Sequence, residues 1–239
     1  MSDQATATAQ KNAGPQIQVD LQELLDSLFM VLTDKESMVI QKRFALNGEQ
    51  KQTLEKIGKH FNVTRERIRQ IESIALSKLK RTVRTTRLDE VNGLAKEILR
   101  NNGGLLREDR LITECLKRIV GAKDVDGAVL RLSFSIDPDM ISGSRANSFI
   151  SFWRIESLAM DDVSVIVNSI VKILKKRKNC MQTGEIVSAI QALNLFDGRV
   201  PSRELIASCL EIDERLREIS EGWGLTEWRF VRPRSIRDK

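Results

Sequence analysis

Five side chains within six residues, Arg65, Glu66, Arg67, Arg69 and Gln70, carry groups that suit the edges of bases. A guanidinium gives paired hydrogen bonds to guanine O6 and N7, a carboxamide pairs with adenine, and a carboxylate accepts from cytosine N4. Such groups read a base sequence only from one face of a rigid element that fits the major groove. Spacing supplies that face. Ile68, Ile71, Ala75 and Leu79 recur at intervals of three and four, the apolar stripe of a helix over 65–80. Glu66, Gln70, Ser73 and Ser77 lie opposite the stripe, with Arg65 and Arg69 on one shoulder and Arg67 on the other. The serines are short enough to let the helix lie close to a groove wall.

A reading helix needs a second helix to set its angle, and residues 54–61 supply it. Ile57 and Phe61 face inward, Val63 plugs the turn, and Ile68 and Ile71 face back from the second helix. Gly58 stands where two crossing helices leave no room for bulk. Asn62 holds the turn, where a left-handed backbone is needed and Asn tolerates it. Thr64 is suited to cap the second helix. Together these residues predict a helix-turn-helix. Upstream, Leu21, Leu24, Leu25, Leu28 and Met30-Val31-Leu32 predict a short amphipathic helix. Thr33 or Asp34 caps another, carrying Met38, Val39 and Phe44. Asn47-Gly48 signals a turn. Residues 81–87 lack an apolar stripe and read as a linker or helix extension.

Charge follows the same segment. The 239 residues carry a net charge of +6. Residues 33–87 hold fourteen Lys/Arg and six Asp/Glu, a net of +8, while 1–32 stand at −3 and 88–239 at +1. A compact basic segment between less basic ones is the electrostatic footprint of a nucleic-acid-binding module. Cys115, Cys180 and Cys209 are scattered and odd in number, which predicts reduced thiols rather than a disulfide frame or zinc site. With the one histidine, His60, soft ligands are too few for most transition-metal sites. No run approaches the ~18 apolar residues of a membrane helix. Met1-Ser2-Asp3-Gln4 begins neither a basic nor an apolar leader, so a cytoplasmic, nucleoid-associated protein is expected.

At these residues the chain resembles a known family. Leu32-Thr-Asp-Lys-Glu36, Arg43-Phe-Ala-Leu-Asn-Gly48, Val63-Thr-Arg-Glu-Arg-Ile-Arg-Gln-Ile-Glu72 and Ala75-Leu-x-Lys-Leu79 look like region 4 of primary-type bacterial sigma factors. The likeness spans about residues 30–81. It implies binding to the −35 promoter element and docking on the β flap of RNA polymerase. By the same resemblance, Arg65, Glu66, Arg69 and Gln70 read bases, while Thr53, Thr64, Arg67 and Lys78 lie near phosphates, which position a module without reading sequence. Ala45 is a departure, since the family usually has Gly there. Sigma factors melt the −10 element with an aromatic-rich upstream domain. About 30 residues precede the likeness and the chain has no tyrosine, so a complete sigma factor is not expected.

From Leu88 the pattern changes. Leu88, Val91, Ala95, Ile98 and Leu99 give a helix stopped by Asn101-Asn102-Gly103-Gly104. Leu111, Cys115, Leu116 and Ile119 mark a second helix and 125–134 a third. Met140-Ile141, a polar loop at 142–147 and residues 149–155 read as a hairpin. A similar order follows: helices at 163–174, 184–193 and 202–210, then strands at 216–219 and 225–228 joined by Glu221-Gly222. Phe134-x-Ile136-Asp137 precedes Trp153-Arg154 much as Leu210-x-Ile212-Asp213 precedes Trp228-Arg229. We read two copies of one winged-helix module. Residues 161–231, through Val200-Pro-Ser-Arg-Glu-Leu and the motif Trp223-Gly-Leu-Thr-Glu-Trp228, are also similar to the HARE-type winged-helix domain found in the polymerase delta subunit. Trp223 and Trp228 are expected to pack the hairpin against the helices.

The expectation is a mainly α chain of tandem helix-turn-helix domains, the second and third winged. Its parts are a disordered tail at 1–19, a region 4-like domain at 20–87, winged domains at 88–159 and 160–231, and a basic tail at 232–239. No phosphate loop, nucleophile elbow or paired-carboxylate motif is present, so no enzyme activity, cofactor or metal is expected. His60 reads as solvated or phosphate-near rather than catalytic. Asp137-x-Asp139 is broken by Pro138, and Asp161-Asp162 reads as a helix start. Lys175 to Lys178 reads as a helix end favoured by the macrodipole, with a secondary phosphate contact as the sharper alternative. The expected partners are double-stranded DNA and the RNA polymerase core, with the winged modules adding contacts through effective concentration. The alternatives are an RNA polymerase accessory subunit with incidental DNA contacts, or the DNA-targeting component of a restriction or modification system.

Overall fold

A computed structural model of the chain describes residues 16–46, 48, 50–83, 86–123, 126–143 and 148–231. The protein is mainly helical with small antiparallel sheets, as expected. It forms two compact units, one from the described residues of 1–95 and 112–137, the other from those of 96–111 and 138–239. Segment 88–159, read from sequence as one domain, contributes to both.

In the first unit, Asp20 caps α1 (Leu21–Phe29), and Leu21, Leu24, Leu25 and Leu28 bury one stripe. The helix stops before Met30-Val31-Leu32, and Met30 and Val31 are exposed. Position 30 falls opposite the leucine stripe, and a new helix starts within three residues. The cap of that helix is Thr33: its hydroxyl accepts from the Glu36 amide, and the Glu36 carboxylate accepts from the Thr33 amide at 2.9 Å. This capping box opens α2 (Asp34–Phe44). α3 (Leu54–Phe61) and α4 (Arg65–Thr82) follow. α4 runs into the expected linker and Val83 is buried, so a helix extension is what 81–83 form. The unit also holds the first part of α5 (Leu88–Asn101), the later part of α6 (Glu108–Arg118), and α7 (Gly127–Ile136). Residues 1–15 of the expected tail lie outside the described residues, but 16–19 are folded. Ile17 bridges Ile119, and Val19 is buried, because this polar stretch holds two branched apolar side chains.

In the second unit the end of α5 is followed by a strand that no sequence pattern announces. β1 (Leu105–Arg107) pairs antiparallel with β3 (Phe152–Ile155), which also pairs with β2 (Met140–Gly143). Three residues after two glycines are too few to show an alternation. Then come α8 (Met160–Arg177), α9 (Thr183–Ala192), α10 (Arg203–Ile212), β4 (Leu216–Ile219) and β5 (Gly222–Leu225). The last strand is displaced from the predicted 225–228. Trp223 exchanges both backbone hydrogen bonds with Met181, at 2.8 and 3.0 Å, and Thr226 to Trp228 form the turn beyond. Gly222 permits this, since a Cβ there would stand 2.6 Å from the Met181 carbonyl oxygen.

The two hairpins share a local arrangement, in a register other than the expected one. Leu106 pairs with Trp153, whose indole donates to Glu108, the first residue of α6, at 3.1 Å. Met181 pairs with Trp223, whose indole donates to Thr183, the first residue of α9, at 3.2 Å. The counterpart of Trp153 is therefore Trp223, not Trp228. Asp137 and Asp213 both end their helices and are both buried. Trp223 lies in the core and Trp228 packs partly against it, as expected. The loop at 144–147 and the basic tail at 232–239 lie outside the described residues.

α2 ends on Ala45 in the left-handed region, at φ 61° and ψ 37°. That conformation costs an L-residue about 1–2 kcal/mol. Ala45→Gly is expected to stabilise the first unit by about 0.5–1 kcal/mol after the unfolded chain's extra freedom is charged against it. A raised urea midpoint at unchanged slope is the readout; a lowered midpoint would contradict the strained cap.

Candidate nucleic-acid interface

The seam between α3 and α4 is built from Val39, Ile57, Ile68 and Ile71, with Leu54, Phe61 and Val63 packed around them. Each fully buried aliphatic side chain contributes about 1.5–3 kcal/mol, so the interhelical angle is held by a substantial apolar contact. Asn62 turns the chain at φ 55° and ψ 41°, and its amide donates to the carbonyls of Gly58 and Lys59. A Cβ on Gly58 would sit 2.7 Å from the Val63 carbonyl oxygen. What excludes bulk there is the backbone of the turn, not the face of the crossing helix. Thr53 and Thr64 cap the two helices, accepting from the Lys56 and Arg67 amides at 3.2 and 3.1 Å.

Two ion pairs brace α4 from behind. Arg43 on α2 donates from Nε to Glu72 at 2.9 Å and from Nη1 to the Gln52 carbonyl at 2.9 Å. Lys78 places its ammonium on both oxygens of Glu36, at 2.9 and 2.8 Å. Glu36 thus serves as cap partner and ion-pair partner at once. Burial pushes its carboxyl up, but the bonds from Lys78 and Thr33 outweigh this and hold it below the ordinary 4.5. Arg43, Glu72 and Glu36 are functional supports that sequence reasoning does not single out. The Thr33–Glu36 spacing carries a signal for one of them; a pair 29 residues apart carries none.

The outward side of α4 is open. Arg65, Glu66, Arg67, Arg69 and Gln70 are exposed in its first two turns, and Ser73 and Ser77 continue the face. The four expected base readers therefore stand together, and two are already oriented. Arg69 grips both oxygens of Glu66 at 2.7–3.1 Å, which holds that carboxyl below its usual range. Arg67 donates to the Gln70 side-chain oxygen at 3.1 Å. Of the expected phosphate contacts, Thr53 and Thr64 spend only the accepting side of the hydroxyl on capping, so each O–H can be given to a phosphate oxygen at a helix N-terminus. Lys78 is half-exposed and committed to Glu36. His60 is exposed on α3, edge-on to Phe61.

Residues 28–81 match the family described as Sigma-70, region 4. The match takes in α2, the turn after it, α3 and nearly all of α4, and covers less than a quarter of the chain. It gives the region 4 segment a DNA-binding character in transcription initiation or its regulation, and an association with RNA polymerase. Within the matched segment, Arg65, Glu66, Arg69 and Gln70 face solvent, while Ile57, Ile68 and Ile71 face inward.

Other candidates take structural positions. Asp161 and Asp162 lie in the first turn of α8, and Asp162 pairs with Arg199 at 2.5 Å. Asp139 pairs with Lys96. At the far end of α8, Lys175 pairs with Glu227 and Arg177 with Glu185, while Lys178 ends the helix left-handed. Cys115 and Cys209 are buried, and burial pushes both thiols up, Cys115 to about 12, so neither is a ready nucleophile. Among the described residues, no helix is long and apolar enough to cross a membrane.

Two glycines give a paired check of the turn. Gly93 is exposed on α5, and a methyl group there would meet nothing within 4 Å, so Gly93→Ala is expected to stabilise by about 0.5–1 kcal/mol. Gly58→Ala meets a backbone oxygen and is expected to destabilise by about 1–3 kcal/mol instead. Equal effects of the two in denaturant titrations would dissolve the close-approach argument. The Glu36 carboxyl is lower in the folded than in the unfolded chain. Its contribution is therefore complete above the ordinary 4.5 and disappears as pH falls through the lower folded value. Glu36→Gln is expected to flatten that acid-side loss in stability-against-pH curves; parallel curves for both proteins would refute it.

Proposed function

We propose that the chain is a sequence-specific DNA-binding transcription factor acting at a −35-type promoter element. The first two turns of α4 enter the major groove. There Arg65 and Arg69 face guanines, Gln70 faces adenine and Glu66 accepts from cytosine. Thr53, Thr64 and Arg67 lie along the phosphates. Lys78 reaches a phosphate while sharing its ammonium with Glu36. α2 and the turn after it contact the RNA polymerase core at its β flap, and a place on the bacterial nucleoid follows. Along the chain this gives three successive helix-turn-helix segments, at 20–87, 88–159 and 160–231, the last HARE-like, with the middle one shared between the two compact units.

The observation that carries this reading is the exposure of Arg65, Glu66, Arg69 and Gln70 on one face of a helix whose opposite face is buried. The excess of basic charge in the same segment supports it, since phosphate neutralisation supplies most of the non-specific affinity. Selection of bound sites from random duplex DNA, at fixed salt and with and without polymerase core, tests it. Arg69→Ala is expected to cost roughly 1–3 kcal/mol on the selected site and to relax preference at one base position. An unchanged selection profile would remove α4 from the interface.

A further inference from the structure

Among the described residues, three helix pairs follow helix-turn-helix order, and in each the second helix is the one that would enter a groove. They are α4, α7 and α10. Their surroundings differ. α7 has no exposed residue. Gly127, Val129, Leu130, Leu132, Phe134 and Ile136 are buried, and the helix packs against α1, α2 and α4 inside the first unit. A helix apolar on nearly every side is an internal strut.

α10 is covered in the second unit by the segment that leads into and out of β1. A Cβ on Gly103 would lie 2.4 Å from the Leu205 amide nitrogen, so the two backbones touch. The Ser208 hydroxyl donates to the Asn102 carbonyl at 3.0 Å, and Glu211 pairs with Arg110. Past the helix, the Ile150 amide donates to the Ile212 carbonyl at 2.7 Å and the Glu214 amide to the Ser148 carbonyl at 2.8 Å. Leu105, Phe149 and Phe152 share one core with Ile206, Leu210 and Ile212. In α10, Arg203 and Glu204 at its first turn are exposed; residues 205–212 are half-buried or buried.

We infer that the protein reads DNA through α4 alone, and that α7 and α10 are sealed struts by which the winged segments build a scaffold rather than further DNA contacts. The inference rests on the α4 reading above and narrows the expectation that the winged modules add DNA or polymerase contacts, by removing groove contacts from it. It fixes the kind of target: one uninterrupted element within about one helical turn, ~10 bp, rather than elements repeated at turn spacing.

Two charge reversals on the full chain test it. Arg203→Glu with Arg217→Glu removes the cations that a groove-bound α10 and its β4–β5 wing would use. Arg65→Glu with Arg69→Glu strikes α4. On duplex DNA selected by the wild type, the first double variant is expected to bind within about twofold of wild type, the range of ordinary surface changes. Its salt slope is expected to be unaltered. The α4 variant is expected to lose on the order of a hundredfold or more. A loss in the first variant comparable to that in the second, or a slope lowered by about one unit per lost phosphate contact, would overturn the inference while leaving the α4 reading intact. A wild-type protein that selects no sequence, or an α4 variant that binds like wild type, would take down the α4 reading, and the inference with it. Circular dichroism of both variants keeps a folding defect from passing as a binding one.

Discussion

The angle between α3 and α4 is the constraint on which everything outward of it depends. Two helices of 8 and 18 residues cannot hold a crossing angle by hydrogen bonds within themselves. The angle is set where Ile57, Ile68 and Ile71 meet Val39, and where Gly58 lets the turn backbone close onto the helix. Apolar burial is strong but has little direction. The glycine contact and the left-handed Asn62 supply the direction, because only one placement of the turn satisfies both. The polar face of α4 inherits its geometry from this seam.

Charge is divided between bracing and presentation. The Arg43–Glu72 and Lys78–Glu36 pairs are partly buried and tie α2 to α4 across 29 and 42 residues of sequence. Their carboxylates keep little contact with water: Glu36 is held by the Lys78 ammonium and the Thr33 amide together, and Glu72 by Arg43. The Arg69–Glu66 pair is about 60% exposed on both sides and lies within one helix. Water competes with it freely, and it orients side chains without fixing them. That contrast suits a surface whose groups must exchange their internal partners for those of a ligand, while the frame beneath stays put.

Local signals are legible in the sequence and long-range ones are not. Thr64 as a cap, the 54–61 helix and the Asn62 turn are all readable, because a cap, a stripe and a left-handed residue are each decided within four or five positions. Burial of one side of α4 is readable from its period. The strand β1 is not, because its partner lies almost fifty residues downstream and three residues leave no period. The wing register slips because Trp223 and Trp228 fit a strand equally well by type; the choice is made by Met181, forty residues away. The same limit hides Glu36 and Glu72 as braces. For α7, Val129-Leu130 with Leu132, Phe134 and Ile136 spread apolar groups around the helix, a sign of enclosure visible in the sequence but not of what encloses it.

The charge distribution becomes intelligible in these terms. If all three helix pairs met phosphates, each segment would need its own cationic excess, since every phosphate neutralised asks for one. Residues 33–87 have such an excess and 88–239 do not. Several described cations of the second unit are paired internally: Arg110 with Glu211, Arg177 with Glu185, Arg199 with Asp162 and Arg215 with Asp213. Asp213 is wholly buried and accepts three bonds from Arg215, one from its amide and two from its guanidinium, at the end of α10. An arginine held in that way belongs to the wall of a module, not to its ligand. Near-neutral composition, internal ion pairs and a covered second helix all accord with the proposal that the winged segments build a scaffold rather than further DNA contacts.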